Sequence, residues 1–161
     1  MDRALDSGSR GCGFDSRQAR QMGLGRSLRI FTDGGSSGNP GKAAASFVVY
    51  EGDDLLILHG EALGSKTNNF AEYKALDMAL KWLKDSGYPV EHVEIFCDSE
   101  LVVKQLRGEY RVKSRNLKDL YRQVKARLLG FRSVRVSWIP REENRLADWL
   151  VKTILKGEKR P

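Results

Sequence analysis

Two similar segments decide the fold: residues 28–33 read LRIFTD, and residues 93–98 read VEIFCD. Each is an apolar run typical of a buried strand, and each ends in an aspartate two residues after a phenylalanine. Residues two apart on a strand point to the same face of a sheet, so Phe31 and Asp33 share one face, as do Phe96 and Asp98. If the two strands are parallel neighbours, both carboxylates meet at the carboxyl edge of the sheet.

The signals around these strands predict the α/β class, with one mixed sheet flanked by helices in the order βββαβααβα. Strands are predicted at residues 28–32, 43–50, 55–63, 92–97 and 134–139, and helices at residues 71–84, 101–106, 117–129 and 142–156. The segment DGGSSGNPG at residues 33–41 predicts a loop, and it departs from the P-loop pattern at Ser36 and Ala43. Thr67 and Asn68 are favourable N-cap residues for the first helix.

A length of 161 residues, with 40% hydrophobic and 30% charged residues, is typical of one globular domain, which we place at residues 27–157. Residues 1–26 lack periodicity, so we expect a disordered extension or residues upstream of the true start of translation, and residues 158–161 a short tail. The two cysteines form no disulfide framework, and no apolar run reaches the ~18 residues of a membrane helix. These features predict a reduced, cytoplasmic protein without a membrane partner.

Positive charge is concentrated in one part of the chain. Residues 104–135 hold eleven Lys or Arg and two acids, a local charge of +9, whereas the whole chain carries +7. On the helix predicted at residues 117–129, the cations lie opposite the apolar stripe: Arg115, Lys118, Arg122 and Lys125. This basic face indicates a polyanionic partner, nucleic acid first, with an ordinary solvated helix face as the alternative.

Further carboxylates favour a metal site. Glu72 lies at helical spacing from Leu76 on the core-facing stripe, so its side chain points inward, although a role at the helix dipole is an alternative. Asp148 is less distinctive, because its helix also carries Glu142 and Glu143. Oxygen ligands without His or Cys favour Mg²⁺ or Mn²⁺ over zinc, and four carboxylates suggest two ions acting on a phosphodiester. A turn or helix cap is the alternative for a single Asp at a strand end.

Four motifs in a fixed order resemble the type 1 ribonuclease H family, across roughly residues 28–154: TDGGSSGNPG, TNNFAEYKAL, CDSELVVKQL and WIPREENRLADWL. The resemblance implies a five-stranded mixed sheet and endonucleolytic hydrolysis of the RNA strand of RNA–DNA hybrids, leaving 3′-hydroxyl and 5′-phosphate ends. It implies two Mg²⁺ ions with substrate, Mn²⁺ as a substitute, no small-molecule cofactor and a monomer.

The resemblance also assigns site residues. The metal-binding and catalytic carboxylates are Asp33, Glu72, Asp98 and Asp148. The implied substrate contacts are Gly34, Asn39, Thr67, Asn68, Asn69 and Asn144, to which we add three residues of the basic face, Arg115, Arg122 and Lys125.

The chain departs from many relatives in two places and is similar to archaeal-type members. The segment SWIPREEN at residues 137–144 lacks the loop histidine, and we expect Arg141 or Glu142 to substitute for it. Residues 108–116 are too short for the basic protrusion of some bacterial members. The alternatives are a hybrid-binding protein with weak or no nuclease activity, the ribonuclease H domain of a reverse transcriptase, and a nuclease that also cuts double-stranded RNA.

Overall fold

A five-stranded mixed sheet forms the centre of the computed structural model, which describes residues 26–158. Its strands are β1 (Arg26–Gly38), β2 (Gly41–Glu51), β3 (Asp54–Lys66), β4 (Val90–Cys97) and β5 (Ser133–Trp138). Its helices are α1 (Asn68–Ser86), α2 (Glu100–Leu106), α3 (Arg115–Leu128) and α4 (Arg145–Glu158). The predicted order βββαβααβα is confirmed, and the strands lie in the order β3-β2-β1-β4-β5.

The predicted terminal segments lie almost entirely outside the described residues. Arg26, which was assigned to the extension, begins β1, and Glu158, which was assigned to the tail, ends α4. Within residues 26–158, no helix is long and apolar enough to cross a membrane.

The two strands that decide the fold are parallel neighbours, as the sequence suggested. Phe31 of β1 is in register with Phe96 of β4, and their rings stack with centroids 4.9 Å apart. Thr32 is likewise paired with Cys97, so the next residues along the two strands are the two aspartates. β2 pairs with β1 antiparallel and β5 pairs with β4 parallel, which places the carboxyl ends of β1, β4 and β5 at one edge.

The predicted loop at residues 33–41 is wrong for most of its length, because β1 continues past Asp33 to Gly38. Only the turn at Asn39 and Pro40 separates it from β2. The small residues that follow Asp33 leave room for the helices that lie against this part of the strand. A Cβ added to Gly34 would lie 2.2 Å from the backbone carbon of Ala71 in α1.

The predicted start of the last helix at residue 142 is also wrong. Residues Arg141–Glu143 form a short 3₁₀ helix, and α4 begins at Arg145. Asn144 interrupts the helix with φ −115° and ψ 40°, and its side chain turns inward to donate a hydrogen bond to the Thr32 carbonyl. Most other predicted elements are too short by one to five residues, most of all α1, which was predicted at residues 71–84, whereas the predicted ends of α3 and β5 are one residue too long.

Helices cover both faces of the sheet. Successive residues of a strand point to opposite faces, and Gly34 lies against α1 whereas Gly35 faces Val151 of α4. α3 packs on α1, and this contact contains an ion pair between the buried Asp77 and the half-buried Arg127, with Oδ1 and Nε 2.7 Å apart. The main core therefore lies between the sheet and α1, α2 and α3.

Candidate active site

Three carboxylates meet at the carboxyl edge of the sheet, and we call them the acidic edge: Asp33, Glu72 and Asp98. Asp33 lies on β1, Asp98 follows β4, and Glu72 lies in α1. One oxygen from each lies within 4.8 Å of the others. Asp33 is only 1% exposed and Glu72 only 3%, so the inward direction expected for Glu72 is confirmed.

Local structure around Gly34 brings Glu72 to the aspartates. Thr67 caps α1, as the sequence predicted, by accepting a hydrogen bond from the Phe70 N–H at 3.1 Å. The absence of a side chain at Gly34 lets the first turns of α1 lie directly on β1. The Gly34 backbone N–H lowers the pKa values of both Asp33 and Glu72, against the larger effect of burial. Gly34 is thus buried beneath the acidic edge.

Each member of the acidic edge has one buried oxygen that finds no hydrogen-bond partner in the described part of the chain: Asp33 Oδ1, Glu72 Oε1 and Asp98 Oδ1. Burying ionised carboxylates without partners is costly, so such a cluster is stable when a cation joins it. Carboxylate oxygens are the ligands that Mg²⁺ and Mn²⁺ prefer. These residues therefore fit a divalent metal ion.

The pKa values of the acidic edge reflect the same cost of burying negative charge. Burial first, and then the charges of Asp98 and Asp148, raise the pKa of Asp33 to about 8. Burial, followed by the charge of Asp33, raises the pKa of Glu72 well above its ordinary value. Burial also raises the pKa of Asp98, although the Arg141 charge and a hydrogen bond from Asn144 oppose the change. Without a metal ion, the site holds protons near neutral pH.

The fourth predicted carboxylate, Asp148, stands apart from the acidic edge. Its Oδ1 accepts a hydrogen bond from Arg141 Nη1 at 3.2 Å, and its Oδ2 lies 3.1 Å from Lys152 Nζ. Arg141 Nε lies 3.9 Å from Asp98 Oδ2, so the guanidinium links Asp148 to the acidic edge. The sequence analysis missed Lys152, although its i,i+4 spacing from Asp148 is a detectable signal.

The two candidates for replacing the loop histidine differ in position. The Arg141 side chain reaches the carboxylates, as described above. Glu142 is exposed in the 3₁₀ helix, and its carbonyl accepts a hydrogen bond from Arg145 Nε at 3.2 Å. Of the two, the structure brings Arg141 to the site.

Asn144 is buried between the last helix and the sheet. Its Nδ2 donates to the Thr32 carbonyl at 2.8 Å and lies 3.5 Å from Asp98 Oδ2. Asn144 thus ties Asp98 to β1 at the residue before Asp33. This contact joins residues more than a hundred positions apart in the chain.

Four of the predicted substrate contacts gather at the start of α1: Asn39, Thr67, Asn68 and Asn69. Asn39 Oδ1 accepts a hydrogen bond from the Asn68 N–H at 3.0 Å, which joins the β1–β2 turn to the helix. Asn39 and Thr67 are exposed, and Asn68 and Asn69 are half-buried. This polar cluster lies one helical turn from Glu72.

The basic face lies on α3. Arg115, Lys118 and Arg122 are exposed, and Arg122 pairs with Asp119 at 3.3 Å. Lys125 is half-buried and donates to the Leu106 carbonyl at 3.1 Å, so part of its role is to close the end of α2.

Beside the basic face, a groove of about 490 Å³ separates α3 from residues 108–112. Tyr110, which is 52% exposed, and Arg111 line it together with Lys118 and Arg122. The sequence analysis missed this groove, and its signal was an aromatic residue among closely spaced cations.

The family model described as reverse transcriptase-like matches residues 31–154. Ribonuclease HI of Halobacterium salinarum is 36% identical over 136 residues, which cover 84% of this chain and 67% of that protein. The chain belongs to the type 1 ribonuclease H family.

Solved structures of family members have the same fold. The crystal structure of RNase H1 from Halobacterium salinarum superposes with a TM-score of 0.76 at 35% identity, over 81% of this chain and 98% of that one. LC11-RNase H1, crystallised in complex with an RNA/DNA hybrid, gives a TM-score of 0.72 at 35% identity, over 80% and 99% of the two chains. The Bifunctional protein Rv2228c of Mycobacterium tuberculosis is 39% identical over 123 residues, which are 75% of this chain and 33% of that protein. This chain therefore spans about a third of that mycobacterial relative.

Proposed function

We propose that this chain is an endonuclease that hydrolyses the RNA strand of RNA–DNA hybrids and leaves 3′-hydroxyl and 5′-phosphate ends. The observation that carries the proposal is the acidic edge, whose buried oxygens lack partners in the described residues of a type 1 ribonuclease H family member. A similar chain, LC11-RNase H1, has been crystallised with an RNA/DNA hybrid, which supports the choice of substrate.

The proposed metal ligands are the acidic edge and Asp148, with Mg²⁺ as the resident ion, two ions in the presence of substrate, and Mn²⁺ as a substitute. When bound, such ions activate a water molecule and stabilise the leaving oxygen of a phosphodiester. In this proposal the carboxylates bind the ions, and contacts from Gly34 and Asn144 position the carboxylates. Because Gly34 and Asn144 are buried, we propose that they assist substrate binding indirectly through these contacts.

We propose that the polar cluster at the start of α1 recognises the substrate. The amides of Asn39, Asn68 and Asn69 have the donors and acceptors to contact minor-groove base edges and ribose 2′-hydroxyls, which distinguish RNA from DNA. Thr67 and the helix N-terminus suit a phosphate. Their position one turn from Glu72 would hold the selected strand beside the carboxylates.

The basic face supplies a second proposed contact, through Arg115, Arg122 and Lys125. Phosphates of a nucleic acid are attracted to exposed cations, and the contact weakens as salt is added because counterions are released on binding. The adjoining groove contains Tyr110 among cations, and an aromatic ring in a basic groove is typical of nucleic acid binding sites. Lys125 contributes less than the two arginines in this proposal, because its ammonium group already bonds to Leu106.

The remaining parts of the proposal concern the state of the protein. We propose a cytoplasmic monomer with one catalytic domain at residues 27–157 and no small-molecule cofactor. The thiol of Cys97, buried and not in a disulfide, is consistent with a reducing compartment. Arg141 is the proposed replacement for the loop histidine, because its side chain reaches two carboxylates.

The test is cleavage of an end-labelled RNA–DNA hybrid, an RNA duplex and a DNA duplex of one sequence, with Mg²⁺, Mn²⁺ or EDTA. We expect metal-dependent cutting of the RNA strand of the hybrid alone, and loss of cutting in Asp33→Asn. Glu94→Gln is the matched control, because Glu94 is a half-buried carboxylate of β4 that pairs with Arg135. Hybrid binding without cutting in any metal would contradict the proposal and favour a binding protein. Cutting of the RNA duplex would favour a broader nuclease.

A further inference from the structure

Arg141 places a positive charge between two carboxylates that the proposed function assigns to metal binding. Its Nε lies 3.9 Å from Asp98 Oδ2, and its Nη1 lies 3.2 Å from Asp148 Oδ1. The Asp98 side chain is 1% exposed and that of Asp148 15%, whereas the Arg141 side chain is 58% exposed. The guanidinium thus lies at the solvent side of the acidic edge and joins it to Asp148.

This contact is electrostatically central although Arg141 is largely exposed. Its charge lowers the pKa values of Asp33, Glu72 and Asp98 against the larger effect of burial. Burial lowers the pKa of Arg141 itself, but the surrounding carboxylates, Asp98 first, outweigh burial and raise it. The group therefore acts as a counterion for the whole cluster.

We propose that Arg141 is an internal counterion that occupies the cation position between Asp98 and Asp148, and that metal binding there displaces its guanidinium. The inference deepens the proposed metal site and rests on it. A divalent ion bound to Asp98 and Asp148 would bring a second positive charge close to the guanidinium, and the repulsion between the two cations favours departure of the one that is not buried. Arg141 is the group able to leave, because it lies in a three-residue 3₁₀ helix and more than half of its side chain is exposed.

The displacement changes what Arg141 can bind. A guanidinium released at the solvent side has planar, paired donors that match a phosphate. In the metal-free protein Arg141 neutralises the carboxylates. Metal binding would free it to contact the substrate.

The experiment is a titration of the full chain with Mg²⁺ in the absence of nucleic acid, followed by calorimetry and by the Arg Nε–Hε signals in NMR spectra. For the wild type, we expect the Arg141 signal, assigned from its loss in Arg141→Gln, to move in step with metal binding. Arg141→Gln should bind Mg²⁺ roughly fivefold more tightly, because two ion pairs no longer compete with the ion. Arg145→Gln is the matched control and should change affinity less than twofold. Arg145 carries the same charge, but it contacts a carbonyl rather than a carboxylate.

Metal binding with an unchanged Arg141 signal would overturn the inference, as would equal affinities for the wild type and Arg141→Gln. Arg141→Lys guards against a folding defect, because it retains the charge while losing the planar bridge, and it should also bind Mg²⁺ more tightly than the wild type. These readouts need no hybrid. A failure of hybrid cleavage with a moving Arg141 signal would therefore count against the substrate proposal alone.

Discussion

The acidic edge and the basic face carry opposite charges, and they are built in opposite ways. Each carboxylate of the acidic edge is buried with one unpartnered oxygen, and its pKa is raised. The basic face is mostly exposed, and Arg122 and Lys125 have local partners. The first region is strained without a ligand, whereas the second is stable in water as it stands.

The two regions therefore suit different roles: metal binding for the acidic edge and attraction of a polyanion for the basic face. Groups whose pKa values are strongly shifted by burial and like charges are typical of sites that bind a metal or a proton. Exposed cations are interchangeable, since each adds a modest, salt-sensitive term to the binding of a polyanion. Changes at the acidic edge should therefore have large and specific effects, and changes at the basic face small and additive ones.

The largest effect is expected on cleavage. Asp33→Asn or Asp98→Asn should lower kcat for the hybrid by about a thousandfold or more, because each removes a ligand of the proposed metal site. Single-turnover cleavage in saturating Mg²⁺ measures the change, with Glu94→Gln as the control. A loss of less than about tenfold in both variants would contradict the role of the acidic edge.

The next effect concerns the close contact beneath the acidic edge. Gly34→Ala should lower the free energy of unfolding by about 3 kcal/mol, because the new methyl group would overlap the backbone of α1. Chemical denaturation measures it. Gly157→Ala is the control, because a Cβ at Gly157 meets nothing within 4 Å, and it should be neutral or slightly stabilising. Equal stability of the two variants would show that α1 does not need this approach.

Two features of the candidate site were predicted from local sequence patterns. The period-two placement of Asp33 and Asp98 after apolar strands indicated the edge at which they meet, and helical spacing indicated the inward direction of Glu72. Both patterns are local. The parallel pairing of β1 with β4 then places Asp33 and Asp98 side by side.

The parts that the sequence did not predict depend on contacts between distant segments. The extension of β1 to Gly38 depends on its antiparallel pairing with β2, and the interruption at Asn144 depends on its bond to Thr32. The link from Arg141 to Asp98 joins residues more than forty positions apart, and no spacing rule points to it.

A third effect is on stability as a function of pH. Burial, together with the charges of Asp98 and Asp148, raises the pKa of Asp33 from 3.8 to about 8, so its contribution to metal-free stability is fully present below about pH 4 and is lost as the pH rises to about 8. Asp33→Asn should therefore raise the free energy of unfolding near pH 8 by about 2–3 kcal/mol in EDTA. Mg²⁺ should reduce that difference. Destabilisation by Asp33→Asn in EDTA at this pH would contradict the account.

The smallest effect is expected at the basic face. Arg115→Ala combined with Arg122→Ala should raise KM for the hybrid by about threefold to tenfold with little change in kcat. The dependence of KM on salt should also become less steep. The control is Lys81→Ala, which removes an exposed cation of α1 that pairs with Asp85. A large fall in kcat in the double variant would show that the basic face takes part in chemistry.

The most direct test of the central claim is the number of protons released when Mg²⁺ binds near pH 7, measured by calorimetry in buffers of different ionisation enthalpy. Since the pKa of Asp33 is about 8, the acidic edge is partly protonated at this pH, and a metal ion must displace those protons. The account predicts release of about one proton per bound ion in the wild type and a clear reduction in Asp33→Asn. Metal binding without proton release, or with equal release in both proteins, would contradict the claim that the strained carboxylates are the metal site.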